Sequence, residues 1–350
     1  MSMTHQPGEA APERPHLIFF AEAGGQALLE TLRTPGTLQA LAAHAFGVAV
    51  PLDRLDEDQA AAVRLLNQCG VETVAWLVLP AEDGEALNLQ NYPQALDRYR
   101  AFRSWAQGNG LRFQAVGLEF EPPPDDIERG GWHALRAVAG RLWLARDNAL
   151  YPSARAAYAE LVAAIQQDGY EVHTYQIPLI ADDRRAGTTI IQRALDIADP
   201  PADLDVLVCS SRFPVGWLDF DLGGALIDSY GAAADALAVG AATPDDGSPA
   251  WPTLRRDLLI AAGHVDTIYI ATLEMCVSAG LLERIAGLDW GARARPALLP
   301  RALVMLLRAL LLIALFIGRH ARTALAWSGW ALALLLWLRH RRTAAATRRR

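Results

Sequence analysis

Residues Thr73–Leu79 read TVAWLVL, residues Tyr92–Gln107 read YPQALDRYRAFRSWAQ, and residues Ala115–Glu121 read AVGLEFE. A short apolar run of strand type gives way to a longer amphipathic one and then to a second short apolar run. That order predicts a strand, a covering helix and a parallel strand beside the first. The alternation extends outward in both directions. Further strands are expected at Leu17–Ala21, Gly47–Pro51, Glu171–Ile177, Leu204–Cys209, Ala236–Ala241 and Thr267–Glu274, which makes eight. Further helices are expected at Asp56–Gln68, Pro152–Gln167, Thr189–Ala198 and Pro252–Ala262. The stretch from Gly223, GGALIDSY, suits a helix ahead of the seventh strand better than a strand of its own.

Eight such units within residues 16–292 match the size of a (β/α)8 TIM-type barrel. An open doubly wound sheet is the rival arrangement. No GxGxxG follows the first strand, and a chain without Lys has no P-loop. The α/β barrel is therefore the expected fold, preceded by a disordered leader over residues 1–15.

Composition changes sharply after residue 292. Ala302–Gly318, ALVMLLRALLLIALFIG, and Ala324–Leu338, ALAWSGWALALLLWL, are separated by only five residues. A hydrophobic helical hairpin is expected over residues 293–342, anchoring the chain in a membrane, with a basic tail over 343–350. Both runs are short against the ~20 apolar residues of a span, and Arg308 interrupts the first. Two other forms are open: the first run lies flat in the interface with Arg308 facing water, or both helices pack on the barrel. Trp327, Trp330 and Trp337 would set indoles near the headgroups.

All 32 basic residues are Arg, and twelve of them lie from Arg293 onward, where no Asp or Glu occurs. Residues 1–292 are left with 20 Arg against 39 acidic residues, a net charge of −19. So acidic a domain excludes nucleic acid as a partner, whereas the tail suits a lipid bilayer with anionic headgroups. Arg flanks both ends of the hairpin more heavily than its connecting loop. That places the soluble domain at the inner membrane, facing the cytoplasm. The N-terminus shows no signal-peptide pattern, and Cys69, Cys209 and Cys276 lack metal or redox spacing.

Catalytic groups of such barrels project from the C-terminal ends of strands, and here those ends are rich in carboxylates. Glu22 follows the first strand, Asp53 the second, Glu119 and Glu121 end the fourth, and Glu274 ends the eighth. Glu119 and Glu121 share a face because side chains alternate along a strand. Their repulsion should raise one pKa, which keeps a carboxylic acid protonated for general-acid work. The plainer alternatives are an Arg partner for one of the pair and, for Glu274, a place in the first turn of a helix starting near Met275. Trp76, Tyr175, Trp217 and Trp251 are candidate stacking faces for a substrate, and equally ordinary core. Arg212 is a candidate for an anionic group or for pairing with the glutamates. No HExxH or GxSxG occurs, so no metal site and no cofactor is assigned, although the carboxylates could hold a hard cation.

The run GLEFEPP, Gly117–Pro123, resembles the fourth strand of glycoside-hydrolase barrels, in particular the chitinase-like family, whose motif ends in Asp-x-Glu with the Glu as acid. The resemblance implies that Glu121 is the acid and that Glu119 stands where the family has Asp. The family's two earlier acidic positions fall on Gly117 and Gln114. Two mechanisms follow from it. The substrate's own acetamido group attacks, or Glu274 serves as the second carboxylate across the barrel at the inverting separation of about 6.5–9.5 Å. The implied function is a membrane-anchored glycoside-hydrolase-like enzyme acting on a saccharide. The alternatives are a non-catalytic barrel that binds a ligand or partner at the membrane, and a carboxylate-bound metal-dependent lyase or isomerase.

Overall fold

The computed structural model describes residues 14–123, 148–210, 222–240, 251–320, 323 and 326–337. Most of the leader, Arg212, Trp217 and the tail beyond residue 337 lie outside the described residues. Eight parallel strands close into a barrel in chain order: β1 His16–Phe20, β2 Gly47–Leu52, β3 Thr73–Leu77, β4 Ala115–Glu119, β5 Glu171–Gln176, β6 Leu204–Ser210, β7 Ala236–Gly240 and β8 Thr267–Ala271. The ring is completed by β1 against β8, with Ile18 opposite Tyr269 and Phe20 opposite Ala271. Helices between the strands form the outer layer, among them Glu57–Gln68, Tyr92–Gly108, Tyr151–Gln167 and Trp251–Ala261. Gly223–Tyr230 is helical, as its sequence suggests.

Local chemistry sets several of the joints. Asp56 caps the helix Glu57–Gln68 by accepting the Gln59 amide at 2.9 Å, which satisfies one of the free N–H groups of the first turn. Thr272 does the same for Leu273–Ser278 through the Met275 amide. That cap stops β8 at Ala271, so Glu274 does not end a strand as expected. It sits in the first turn of the following helix.

Outward-facing strand residues such as Leu118 and Phe120 join the helices in the main apolar layer. The inward-facing set is separate: Ile18, Phe20, Ala49, Val74, Ala115, Tyr175, Val206, Ala236, Ala238 and Tyr269, with Trp76 packed on them. Rings from β1, β3, β5 and β8 share this interior with alanines from β2, β4 and β7. Phe20 lies 5.1 Å from Trp76 and 4.9 Å from both Tyr175 and Tyr269, centre to centre. Gly117 on β4 leaves room for this packing, because a Cβ there would lie 2.7 Å from ring carbons of Tyr175.

The C-terminal apolar helix runs from Leu298 to Arg319, long and apolar enough by length and composition to cross a membrane. Its Val304, Arg308, Leu311, Leu315 and Gly318 turn inward at three- and four-residue spacing, one stripe of a helix. That stripe lies on the helices Ile180–Ala186 and Gly223–Tyr230. Arg308 is the centre of the contact. Its guanidinium pairs with the fully buried Asp182 at 2.7 Å, donates to the Ser229 carbonyl, and stacks over the Tyr230 ring at 4.0 Å. Tyr230 donates its hydroxyl to the other Asp182 oxygen at 2.7 Å. Arg308 therefore faces the protein, and not water as the flat-lying arrangement supposed. Removing one member of a buried ion pair typically costs about 3–5 kcal/mol because the other charge is stranded.

Replacing Gly117 with Ala should lower stability by about 1–3 kcal/mol, the usual cost of overpacking a filled interior. Denaturant unfolding reads it, and an unchanged midpoint would mean that Tyr175 has room to move away.

Candidate active site at the barrel mouth

A cleft of about 900 Å3 opens at the C-terminal ends of β1 to β4. Its walls are the segments that follow those strands: Glu22–Ala27, Asp53–Gln59, Gly84–Ala86 and Glu121–Pro122, with Trp76 and Glu119 on the strands themselves. A recess of about 150 Å3 continues inward over Phe20, Val208, Ala238 and Ala271, and shares Glu22, Trp76 and Glu119 with the cleft. Among the described residues, seven carboxylates line the larger space against a single Arg, Arg54.

Glu119 is half-buried where the two spaces meet. The Trp76 indole N–H donates to its Oε2 at 3.1 Å. Burial, and next the charge of Glu121, push its carboxyl up to about 8. The indole bond works the other way and is outweighed. Two residues on, Glu121 points to the same side, its side chain exposed to the cleft. Partial desolvation by the cleft walls, and then the charge of Glu85, raise its pKa also. The pair therefore holds at least one proton at neutral pH.

The third carboxylate, Glu85, was not singled out by its sequence, since it lies in the loop after β3 rather than at a strand end. The backbone puts it there. Leu87 donates its amide to the Glu119 carbonyl at 2.8 Å and accepts the Glu121 amide at 3.1 Å, so the loop is stitched to the end of β4. Glu85 itself takes φ 58° directly after Gly84 at φ 96°, a left-handed conformation uncommon for Glu. The one legible sign was the DGE turn, which allows such a bend.

The remaining candidates divide. Glu22 and Trp76 line the cleft with Glu119 and Glu121. Tyr175 does not: it is 1% exposed, within the ring cluster beneath the floor, so it cannot stack on a substrate. Burial raises the pKa of its phenol well beyond the usual value. Trp251 lies in the outer layer, at the start of its helix, where the Arg284 guanidinium stacks on it at 4.5 Å. Glu274 accepts the Glu22 amide through both oxygens at 3.0 Å and the Ala23 amide at 3.3 Å. It holds the loop after β1 in place and is not part of the cleft lining. Burial raises its pKa, and those amide bonds offset part of the rise. Arg212, outside the described residues, has no described place. Among the described residues no three His, Cys, Asp or Glu side chains converge as a metal-holding group.

No protein-family model matches the sequence, and no curated protein matches it. Solved structures resemble it at low identity. The PgaB (BpsB) glycoside hydrolase domain from Bordetella bronchiseptica is 9% identical with a TM-score of 0.46, over 79% of this chain and 99% of that one. Chitinase ChiW from Paenibacillus sp. str. FPU-7 is 9% identical with a TM-score of 0.43, over 80% of this chain and 33% of that one. An AP endonuclease of family 2 from Brucella melitensis is 14% identical with a TM-score of 0.41, over 76% and 96%. Glycoside-hydrolase domains thus stand among its structural neighbours.

Between its ordinary value of 4.5 and its native value of about 8, Glu119 binds a proton in the folded state that the unfolded chain has released. Stability should therefore fall as pH rises through that window and level off above it. Glu119→Gln should flatten this part of a melting-temperature profile and exceed the wild type in stability at pH 8 and above. A wild-type profile already flat from pH 5 to 8 would contradict the placement of the proton. Glu274→Gln should leave the Glu119 titration in place while speeding amide exchange at residues 22 and 23, where its two-oxygen grip is lost; unchanged exchange would deny Glu274 that role.

Proposed function

We propose that this protein is a glycoside-hydrolase-like enzyme held at a membrane by its C-terminal apolar helices, and that Glu121 protonates the glycosidic oxygen of a saccharide. The observation that carries this reading is the placement of Glu119 and Glu121 together at an open cleft, where burial and the neighbouring charge raise the pKa of Glu119. A general acid needs a pKa near the working pH and access to the leaving oxygen. Glu121 has the access, because it is open to the cleft. Glu119 supplies the proton, because burial and like charge hold one there. A proton passes from Glu119 to Glu121 and from Glu121 to the departing oxygen, so the pair ends the step one proton short and regains it from the water that completes the hydrolysis.

The charge of the site bounds the substrate. The seven carboxylates and one Arg among the described lining residues repel phosphorylated or uronic sugars and favour neutral or amine-bearing ones. Trp76 offers an aromatic edge between cleft and recess. The recess is apolar over Val208, Ala238 and Ala271 and of a size for a small substituent such as the methyl of an acetamido group. With Glu274 occupied by main-chain amides, attack by that acetamido group is favoured over a second carboxylate from beyond β8.

Glu121→Gln should lower the hydrolysis rate of neutral and amino-sugar oligosaccharides by about 10²–10⁴-fold with the fold unchanged by circular dichroism. Glu119→Gln should shift the alkaline limb of the pH–rate profile, which in the wild type falls near pH 8. Full turnover by Glu121→Gln on any saccharide the wild type cleaves would overturn the assignment.

A further inference from the structure

We infer that the helix Leu298–Arg319 does not cross the bilayer but lies in the plane of one leaflet, clamped to the barrel, with an anionic lipid surface covering its outer face. The inference rests on the membrane reading above and specifies its geometry. The helix is about 33 Å long at 1.5 Å per residue, enough to span a hydrocarbon core of about 30 Å. Length therefore permits either arrangement, and the contacts decide. The helix is tied to the barrel at its start, middle and end. Arg301 pairs with Asp228 at 2.9 Å, Arg308 with the buried Asp182 at 2.7 Å, and Arg319 donates to the Ala186 carbonyl at 2.8 Å. To cross the membrane the helix would have to give up all three, carry the Arg308 guanidinium to mid-bilayer, and leave Asp182 buried without its cation.

The opposite side of the helix is a separate surface. Leu299, Leu306, Leu310, Ile313 and Ile317 form one stripe about half a turn from the Arg308 stripe, and each is more than half exposed. A second apolar helix, Ala326–Trp337, exposes Trp327 and Trp330 nearby in sequence. An amphipathic helix with an apolar outer face and basic ends is the form that settles into a bilayer interface. Charge selects the lipid over a second copy of the chain. Twelve Arg and no acidic residue from position 293 onward would repel one another across a dimer contact, whereas anionic headgroups neutralise them.

The same geometry turns the cleft to water. The helix covers elements that follow β5 and β6, while the cleft is walled by segments that follow β1 to β4. In a closed eight-strand ring β5 and β6 stand across from β1 and β2. The cleft thus lies on the half of the barrel mouth away from the lipid, where a saccharide arriving from solution can reach it.

The test uses the full-length chain with an environment-sensitive fluorophore on a cysteine introduced at Leu299, Leu306 or Ile313, one position at a time. Vesicles of phosphatidylcholine alone, or mixed with phosphatidylglycerol, carry quenchers at known depths. Expected are flotation with the anionic vesicles at least roughly tenfold above the neutral ones, and one shallow depth for all three labels. Arg308→Leu, with the barrel's circular dichroism unchanged, should abolish that uniformity by letting the middle label move deeper. A deep Leu306 label flanked by two shallow ones in the unaltered Arg308 background would overturn the in-plane geometry while leaving membrane attachment standing. No flotation with either vesicle, or a cross-linked dimer through these positions, would overturn the lipid as occupant. A shallow profile that persists in Arg308→Leu would overturn the clamp.

Discussion

Four rings, those of Phe20, Trp76, Tyr175 and Tyr269, fill the upper interior of the barrel, and the other features of the molecule depend on that filling. A closed eight-strand barrel leaves an interior just wide enough for side chains. Large rings fit only if the facing positions are small, and Ala49, Ala115, Gly117, Ala236 and Ala238 are small. The rings in turn make a floor. Water is kept from beneath Glu119, whose carboxyl is held protonated chiefly by the loss of hydration and only secondarily by its charged neighbour. Lower down, Tyr269 meets the Nδ1 of the buried His173 at 2.5 Å, which gives its hydroxyl a partner inside an otherwise apolar space. The site is thus a consequence of core packing before it is a consequence of charge.

The ring of strands was legible because parallel strands buried on both faces read as continuous apolar runs, and TVAWLVL and AVGLEFE are such runs. Their ends were less legible. Thr267–Glu274 reads as one strand until Thr272 is recognised as a helix cap, and a cap is a matter of three atoms rather than of hydropathy. The Glu119 and Glu121 pair was readable from alternation alone. Tyr175 was not separable from Trp76 in the same way, because both sit on inward strand positions, and only depth tells a ring that lines a cleft from one that plugs the barrel. Glu85 could not be found by looking at strand ends; the pairing of Leu87 with the end of β4 brings it to the site.

The two resemblances in the fourth strand, the retained Glu121 and the altered positions upstream, acquire a common physical basis. At Gly117, where the chitinase-like pattern has an acid, any side chain would collide with Tyr175. A carboxylate there and the phenol ring cannot coexist. The chain has a buried ring where the pattern would have another charge, and the charge that remains beneath Glu121 is Glu119 alone. Fewer charges along the strand leave burial as the larger cause of the raised Glu119 pKa, with the charge of Glu121 second.

Arg308 shows how the same residue can be read in opposite ways until its partner is known. Inside an apolar run it looks like an interruption, a charge that a membrane helix must hide. Against the barrel it is the reason the run lies where it does, since Asp182 is wholly buried and would itself be a stranded charge without it. Neither group alone would be stable in its position; together, with Tyr230 stacked on one and bonded to the other, they form a closed set of charge and hydrogen bonds. Such a set contributes less through its net energy than through its exclusivity. Apolar side chains along the Leu298–Arg319 stripe would bind the barrel at several registers, and the ion pair admits one.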